Sequence, residues 1–300
     1  MTIRFPLIDL SQLPMPEVVE ALDYETILAA MLADLRGRDP GFSALVESDP
    51  AYKLLEVAAY RELLLRQRVN SAARSVMLAF ATGADLDQLA ANFGVQRLIV
   101  TQADETSTPP IPAVSESDDE LRARVLMSLD GYTTAGSAGS YVFHAMSASG
   151  DCKDVAVKSL TPGQVSVAVL SQTGNGGAAP RKTLDAVQKA LSAETVRPLC
   201  DEVVVESARV LTYRVTGELT LSPGVGSDKV IAAAETAVKA YAAEQHRLGR
   251  SIARSGLFAA LHQAGVQAVL LSEPASDIVT DWNQAAFCTG LSIREKRAGT

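Results

Sequence analysis

The longest amphipathic pattern in the chain runs from Pro50 to Ala81 and contains no glycine and no further proline. Proline suits the first turn of a helix, and Asp49 or Ser48, directly before it, can cap that turn. The pattern predicts one helix of about thirty residues, or roughly 45 Å in length. Apolar residues recur every three or four positions and predict a buried seam made of Leu55, Ala58, Leu65, Val69, Ala72, Val76 and Phe80.

The side of this helix opposite the seam changes character along its length. In the C-terminal half it is polar and includes Asn70, as expected for a face in water. In the N-terminal half it is apolar, with Val57, Tyr60, Leu63 and Leu64. A helix that is apolar on every side must be covered on every side. The helix is therefore either the central core helix of its own domain or a helix shared with another chain, in which case these four residues are the candidate partner contacts.

Capping signals mark shorter helices on both sides of this segment. Asp23 can cap a helix that follows it, and Asp85-Leu-Asp-Gln88 resembles a capping box that opens a short helix closed by Gly94. Residues 1–16 contain three prolines and predict an extended N-terminal arm. Residues 1–100 are therefore expected to form an N-terminal arm and a helical core-bundle region around one long helix.

A stretch rich in Pro, Ser and Thr separates this region from the rest of the chain. Residues 101–116 (TQADETSTPPIPAVSE) predict a linker or an exposed loop, and Ser117-Asp-Asp-Glu120 then opens another helix with a capping-box pattern. From Lys153 the hydrophobic period changes to the alternation typical of strands. We therefore expect a middle helical plus α+β module over residues 117–208 and a C-terminal α+β module over residues 209–300.

The order of these later segments, strand–strand–helix–strand–strand–helix–helix–strand, determines the expected fold class. Val155 and Val157 alternate before a Pro162-Gly163 turn, and valines at the same spacing follow it, which predicts a β-hairpin. Helices placed between strand pairs favour layers in which helices cover one face of a sheet. The chain is predicted to be α+β: an N-terminal helical region with a long central helix, followed by mixed α+β sandwich modules with mostly antiparallel sheet.

Composition and charge argue against several function classes. The net charge of −8 argues against nucleic-acid binding, which requires clustered Lys and Arg to contact phosphates. The three cysteines are scattered, so neither a zinc site nor a disulfide framework is predicted. The sequence shows no membrane-spanning run and no signal-peptide pattern, so we expect no membrane anchor and a protein kept in the cytoplasm unless a larger particle carries it out.

Three stretches have a superficial likeness to catalytic or ligand-binding motifs. Thr173–Gly177 lacks the spacing of a phosphate loop, and the string around Ser137 lacks the buried strand that a nucleophile elbow requires. His144 lies among apolar residues on a predicted helix, where a packed or hydrogen-bonded histidine is the simpler interpretation. We therefore predict no catalytic residue, no cofactor-binding residue and no metal ligand.

Long stretches of the chain resemble one known family. The segment DPAYKLLEVAAYRELLLRQRVNSAARSVMLAFATGADLDQLAANFGVQR is very similar to the signature region of the baseplate J proteins of contractile phage tails and R-type bacteriocins. Further matching stretches follow in order: Gly131–Val157, Thr161–Ser171, Arg197–Ala208 and Leu248–Leu271. The resemblance extends over most of the chain, from about residue 20 to about residue 280.

This resemblance implies a structural role in a baseplate. Baseplate J proteins are similar in role to the main wedge protein of T-even phages. The resemblance implies a wedge unit in which two copies of the J protein join one smaller protein I, and a six-fold ring of wedges around the hub. By resemblance, the N-terminal helices would enter a core bundle with the partner, and the C-terminal module would make dimer or ring contacts. Further implied partners are a sheath-initiating W-like protein, the hub and tail-fibre components. Assembly would take place in the host cytoplasm, and loosened ring contacts would trigger sheath contraction.

A second class of function stays open on the residues alone. The chain could be a soluble enzyme or a small-ligand-binding protein whose site no motif identifies. Behaviour on dilution separates the two classes, because an assembly component with exposed Tyr60, Leu63 and Leu64 should self-associate or require its partner, whereas an enzyme would usually be stable alone.

Overall fold

The computed structural model describes residues 8, 10–14, 22–133, 136–222 and 226–296. These residues form two compact units, one ending at Gln96 and one beginning at Arg97. Each unit has its own buried apolar cluster. Most of the predicted N-terminal arm lies outside the described residues, apart from a short 3-10 turn at Leu10–Gln12.

The first unit is helical. Its described helices are α1 (Tyr24–Arg38), α2 (Pro50–Ser75) and α3 (Gly83–Ala91). α1 begins as predicted, because the Asp23 carboxylate accepts a hydrogen bond from the Glu25 backbone N–H at 3.1 Å. The predicted start of α3 is wrong: the helix begins at Gly83, before the expected capping box, and Thr82 makes no side-chain cap. Gly94 follows in the left-handed conformation, as predicted.

The long central helix is confirmed, but it is shorter than predicted. α2 contains 26 residues and ends at Ser75 rather than at Ala81. Beyond it the Met77 N–H donates to the Arg74 carbonyl and the Phe80 N–H to the Met77 carbonyl, as in three-residue turns, and the Ala81 N–H makes a single four-residue bond to the Met77 carbonyl. Pro50 occupies the first turn, whereas the Asp49 carboxylate makes no helix cap.

The second unit contains both helices and strands, which confirms the α+β fold class. Its described helices are α4 (Asp118–Gly131), α5 (Ala138–Ala148), α6 (Arg181–Leu191), α7 (Ser227–Gln245) and α8 (Arg254–Leu261). Its described strands are β1 (Ile99–Thr101), β2 (Val114–Ser115), β3 (Cys152–Thr161), β4 (Gln164–Ser171), β5 (Glu202–Ser207), β6 (Arg209–Leu221), β7 (Val266–Glu273) and β8 (Gln284–Glu295). The predicted capping box at Ser117 and Glu120 is present at the start of α4.

The described strands form one small pair and two three-stranded sheets. β1 pairs with β2, so most of the stretch 101–116 is the loop of a hairpin within this unit. The larger sheets have the strand orders β3-β4-β5 and β7-β6-β8, and the predicted β3–β4 hairpin is confirmed. In each larger sheet the central strand has one antiparallel and one parallel neighbour. These sheets are therefore mixed, because a helix-containing connection returns one strand in the parallel direction.

Residues from both larger sheets share one hydrophobic cluster. It consists of Ala156, Ala168, Leu170, Ala208, Leu248, Trp282 and Ala285. Hydrogen bonds accompany this packing: the Leu248 N–H donates to Asp154 Oδ2 at 2.8 Å, and Asn283 Nδ2 donates to Glu206 Oε1 at 2.9 Å. The expected middle and C-terminal modules thus lie in one compact unit.

Candidate assembly interface

α2 packs on α1 along a face that the hydrophobic pattern did not identify. Tyr52, Leu55, Ala59 and Leu63 of α2 share a cluster with residues of α1. The α1 members are Tyr24, Ile27, Leu28, Met31 and Leu32. Ala59 is fully buried, and Asn70, which was predicted to face water, is buried as well. The covered face of α2 is therefore rotated away from the predicted seam, of which only Leu55 belongs to the cluster.

The side of α2 that points away from this cluster is an exposed apolar surface. This outer face of α2 consists of Leu54, Val57, Tyr60, Leu64, Leu65, Val69 and, at the helix end, Val76. The exposed fractions of these side chains range from 38% for Leu64 to 71% for Leu54. Monomeric soluble proteins rarely expose a large contiguous apolar patch, so this surface indicates a binding site for another protein.

The four candidate partner contacts divide between the two sides of α2. Val57, Tyr60 and Leu64 lie on the outer face. Leu63 does not, because it follows Ala59 by four residues and therefore returns to the α1 side, where it is partly buried. The fold brings the three exposed candidates together with Leu65, which the sequence pattern had assigned to the core.

Two arginines lie within the outer face: Arg61 is four residues from both Val57 and Leu65, and Arg68 is four residues after Leu64. Arg61 and Arg68 are exposed, and within the described part of the chain neither side chain has an ion pair or a hydrogen bond. In contrast, Lys53 is paired with Glu56 at 2.9 Å, and this hydrogen bond raises the pKa of Lys53. An apolar face that contains two arginines without ion pairs is complementary to a partner surface with apolar residues and carboxylates.

The residues considered for chemistry have structural roles. His144 Nε2 lies 3.2 Å from the Gly131 carbonyl oxygen, which requires the Nε2–H tautomer as donor, and its ring packs edge-on against Phe143. Burial lowers the pKa of His144. The Ser137 hydroxyl accepts a hydrogen bond from the Ser140 N–H at 3.2 Å and caps α5.

The glycine-rich stretch Thr173–Gly177 connects a strand to a helix. Asn175–Gly177 form a short 3-10 turn, and Gly176 and Gly177 have φ values of 62° and 94° that favour glycine. Among the described residues, no group of three or more His, Cys, Asp or Glu side chains is placed to hold a metal ion. Within those residues, no helix is both long and apolar enough to cross a membrane.

Comparison with known proteins gives three family matches in chain order. A model described as Baseplate J-like N-terminal domain matches residues 47–104, a Baseplate J-like central domain matches residues 133–207, and a Baseplate J-like protein C-terminal domain matches residues 213–294. Baseplate protein J of Escherichia phage P2 is 47% identical over 295 residues, which cover 96% of this chain and 97% of that protein. A chain in the 6-fold symmetrised cryo-EM structure of the anti-feeding prophage (AFP) baseplate has a TM-score of 0.40 and 15% identity, covering 60% of this chain and 44% of that chain.

Proposed function

Because the chain belongs to the baseplate J family and is a structural component of a phage-tail baseplate, we propose that it forms the wedge of a contractile tail. In the proposed wedge unit, two copies of this chain join one copy of a smaller baseplate protein I. The wedges form a six-fold ring around the hub, next to a sheath-initiating W-like protein and the tail-fibre components. Assembly takes place in the cytoplasm of the bacterial host, and rearrangement of the ring transmits the trigger for sheath contraction.

The observation that supports this proposal is the uncovered outer face of α2. Three residues of the outer face belong to a regular seam along α2. The seam consists of Ala58, Leu65, Val69, Ala72 and Val76, which follow the alternating three- and four-residue spacing of a coiled coil, with Glu62 at the one charged position. Among the described residues this seam points away from the α1 cluster. A narrow seam of this period is complementary to another helix, so a helix of the second copy or of protein I would complete a bundle around α2.

Native mass spectrometry of this chain co-expressed with the products of its neighbouring genes tests the proposal. A discrete complex with two copies of this chain and one smaller protein is the expected result. A lone monomer that binds none of the co-expressed proteins would contradict the wedge role and favour a ligand-binding function instead.

Two charged substitutions on the outer face should weaken the complex without unfolding the chain. Leu65→Lys with Val69→Lys is expected to raise the dissociation constant at least tenfold, because two ammonium groups would lose their hydration in an apolar seam. Both side chains are more than half exposed, at 64% and 58%, so the isolated chain should keep its stability. The measurement is the concentration dependence of the native mass spectrum, with circular dichroism as the folding control.

Matched variants separate surface effects from folding effects. Gln67→Lys adds one ammonium group at an exposed polar position of α2 and should leave the complex intact. Val57→Lys with Leu64→Lys tests the exposed candidate contacts and should weaken the complex as well. Leu63→Lys should instead destabilise the first unit, because Leu63 packs on α1. If the two double variants of the outer face form the complex as well as the Gln67→Lys control does, the outer face is not the partner surface.

A further inference from the structure

A pocket of about 370 Å³ lies in the second unit between the C-terminal half of α7 and β8. Its lining includes Val238, Ala242, Ala243, Phe287, Cys288 and Leu291. The His246 ring completes one wall: it packs against Phe287 with ring centres 5.3 Å apart, and its Nδ1–H donates to the Ala286 carbonyl oxygen at 2.8 Å. The volume is within the range of sites that hold a small apolar group.

The charged residues of this pocket all have the same sign. Lys153 and Lys239 are the charged residues among its lining, and the lining includes no carboxylate, although the chain as a whole has a net charge of −8. Within the described part of the chain, neither ammonium group makes an ion pair or a hydrogen bond. Burial and the charge of Arg247 lower the pKa of Lys153, and the charges of Asp154 and Glu120 oppose this shift without forming an ion pair with Lys153. An apolar pocket with two unpaired cations is complementary to an apolar group that is joined to a carboxylate.

The shape of β8 distinguishes between two ways in which a partner could bind here. β8 is an outer strand of its sheet, so an added strand is one possibility. However, the pairing of β6 with β8 passes from Tyr213↔Cys288 to Arg214↔Gly290, which leaves Thr289 as a bulge beside the pocket. The Thr289 hydroxyl donates to the Tyr213 carbonyl at 3.0 Å and fixes this bulge. Bulges interrupt strand pairing, so a short inserted anchor is favoured over a long added strand.

We propose that this α7–β8 pocket binds a segment of a co-assembling baseplate protein that inserts one apolar side chain and pairs a neighbouring carboxylate with Lys153 and Lys239. The proposal rests on the proposed baseplate function, but it concerns a surface distinct from α2. The apolar side chain would contact Phe287 and Val238, and the carboxylate would pair with the ammonium groups of Lys153 and Lys239.

A set of three small probes tests the recognition chemistry directly. The probes are 4-phenylbutyrate, 4-phenylbutanol and 4-phenylbutylamine, which share one apolar body and carry a negative, neutral or positive end group. Titration by ligand-observed NMR should give a dissociation constant for the carboxylate about tenfold below that of the alcohol, with the amine weakest. The double variant Lys153→Met and Lys239→Met should remove this preference, whereas Lys229→Met, an exposed position in the first turn of α7, should not. Equal affinity for all three probes, or no binding by any of them, would overturn the proposed site.

The partner assignment is tested in the complete complex. Ala242→Phe fills the pocket, and the Lys153→Met and Lys239→Met variant removes its charge without changing its apolar lining. Native mass spectrometry of the co-expressed proteins should show that both variants lose one protein from larger assemblies but keep the α2-dependent unit. If wild type and variants form the same assemblies, this pocket does not bind a partner. If the wild-type protein forms no complex at all, the proposed wedge function is wrong as well. The wild-type result therefore shows whether the pocket proposal alone or the wedge function has failed.

Discussion

Replacing Arg124 by Met is expected to lower the free energy of unfolding of this chain by about 3–5 kcal/mol, because the buried Glu116 carboxylate would lose its charged partner. The two side chains are each 4% exposed. Arg124 Nε donates to Glu116 Oε2 at 3.0 Å, and a second nitrogen of the guanidinium donates to the other carboxylate oxygen. Such a two-bond pair is strong only while both members are present.

The position of this pair determines what its loss would affect. Glu116 Oε1 also accepts a hydrogen bond from the Leu98 N–H at 3.0 Å, and Arg97 donates to the Glu116 carbonyl at 2.8 Å. The pair therefore attaches both ends of the β1–β2 hairpin to α4. Amide hydrogen exchange in the hairpin should accelerate in the Arg124→Met variant, in addition to the loss of stability measured by urea denaturation.

Two comparisons establish that burial causes the effect. Arg181→Met breaks a pair with Asp185 in which the side chains are 88% and 61% exposed, so its expected cost is below about 1 kcal/mol. The double variant Glu116→Leu and Arg124→Met leaves no unpaired charge and should be more stable than Arg124→Met alone. A similar loss of unfolding free energy in Arg124→Met and Arg181→Met would show that burial does not increase the effect of breaking the ion pair.

Replacing Asp151 by Asn is expected to cost about 3 kcal/mol at pH 7, since a buried carboxylate accepts hydrogen bonds from three side chains. Thr183 Oγ1 donates at 2.6 Å, Ser171 Oγ at 2.7 Å and Thr173 Oγ1 at 2.7 Å, and the Thr173 N–H donates at 2.9 Å. These donors come from the end of β4, the turn after it and α6. An Asn side chain has one acceptor oxygen for the same donors and brings an NH₂ group toward them.

This network also predicts a specific dependence on pH. Burial alone would raise the pKa of Asp151, but the hydrogen bonds from Thr183, Ser171 and Thr173 outweigh it and hold the pKa below its ordinary value of 3.8. A carboxyl group whose pKa is lowered by folding stabilises the fold above its unfolded pKa, and this contribution is lost as the pH falls through the folded pKa. The stability difference between wild type and Asp151→Asn should therefore be constant between pH 5 and 7, at about 3 kcal/mol, and should decrease below the ordinary pKa.

Urea denaturation at several pH values measures this difference, provided that both proteins stay reversible. Asp185→Asn is the matched control, because the Asp185 carboxylate is 61% exposed and its substitution should have little effect at any pH. A wild-type advantage that grows with acidification would have the wrong sign and would exclude the ionised carboxylate as the source of stability.

Features that depend on neighbouring residues were predictable from the sequence. The caps of α1, α4 and α5 at Asp23, Ser117 and Ser137 are interactions across two or three residues, so the local pattern contains both partners. The β3–β4 hairpin and the family were likewise predictable, because the valine alternation and the long matching stretches lie within continuous segments. The end of α2 could not be predicted, because no glycine or proline in the sequence marks Ser75 as the last helical residue.

The sequence by itself determined that a long helix starts at Pro50, that strands follow Lys153 and that the chain resembles baseplate J proteins. Only the tertiary structure decided which side of α2 is covered, because apolar residues lie on nearly all sides of that helix and the position of Ile27 and Leu28 selects one of them. The tertiary structure also decided the hydrogen-bond partners of the Asp151 carboxylate, because Ser171 and Thr183 are 20 and 32 residues away in the sequence. Such contacts depend on how the chain folds back on itself, which a local periodicity does not encode.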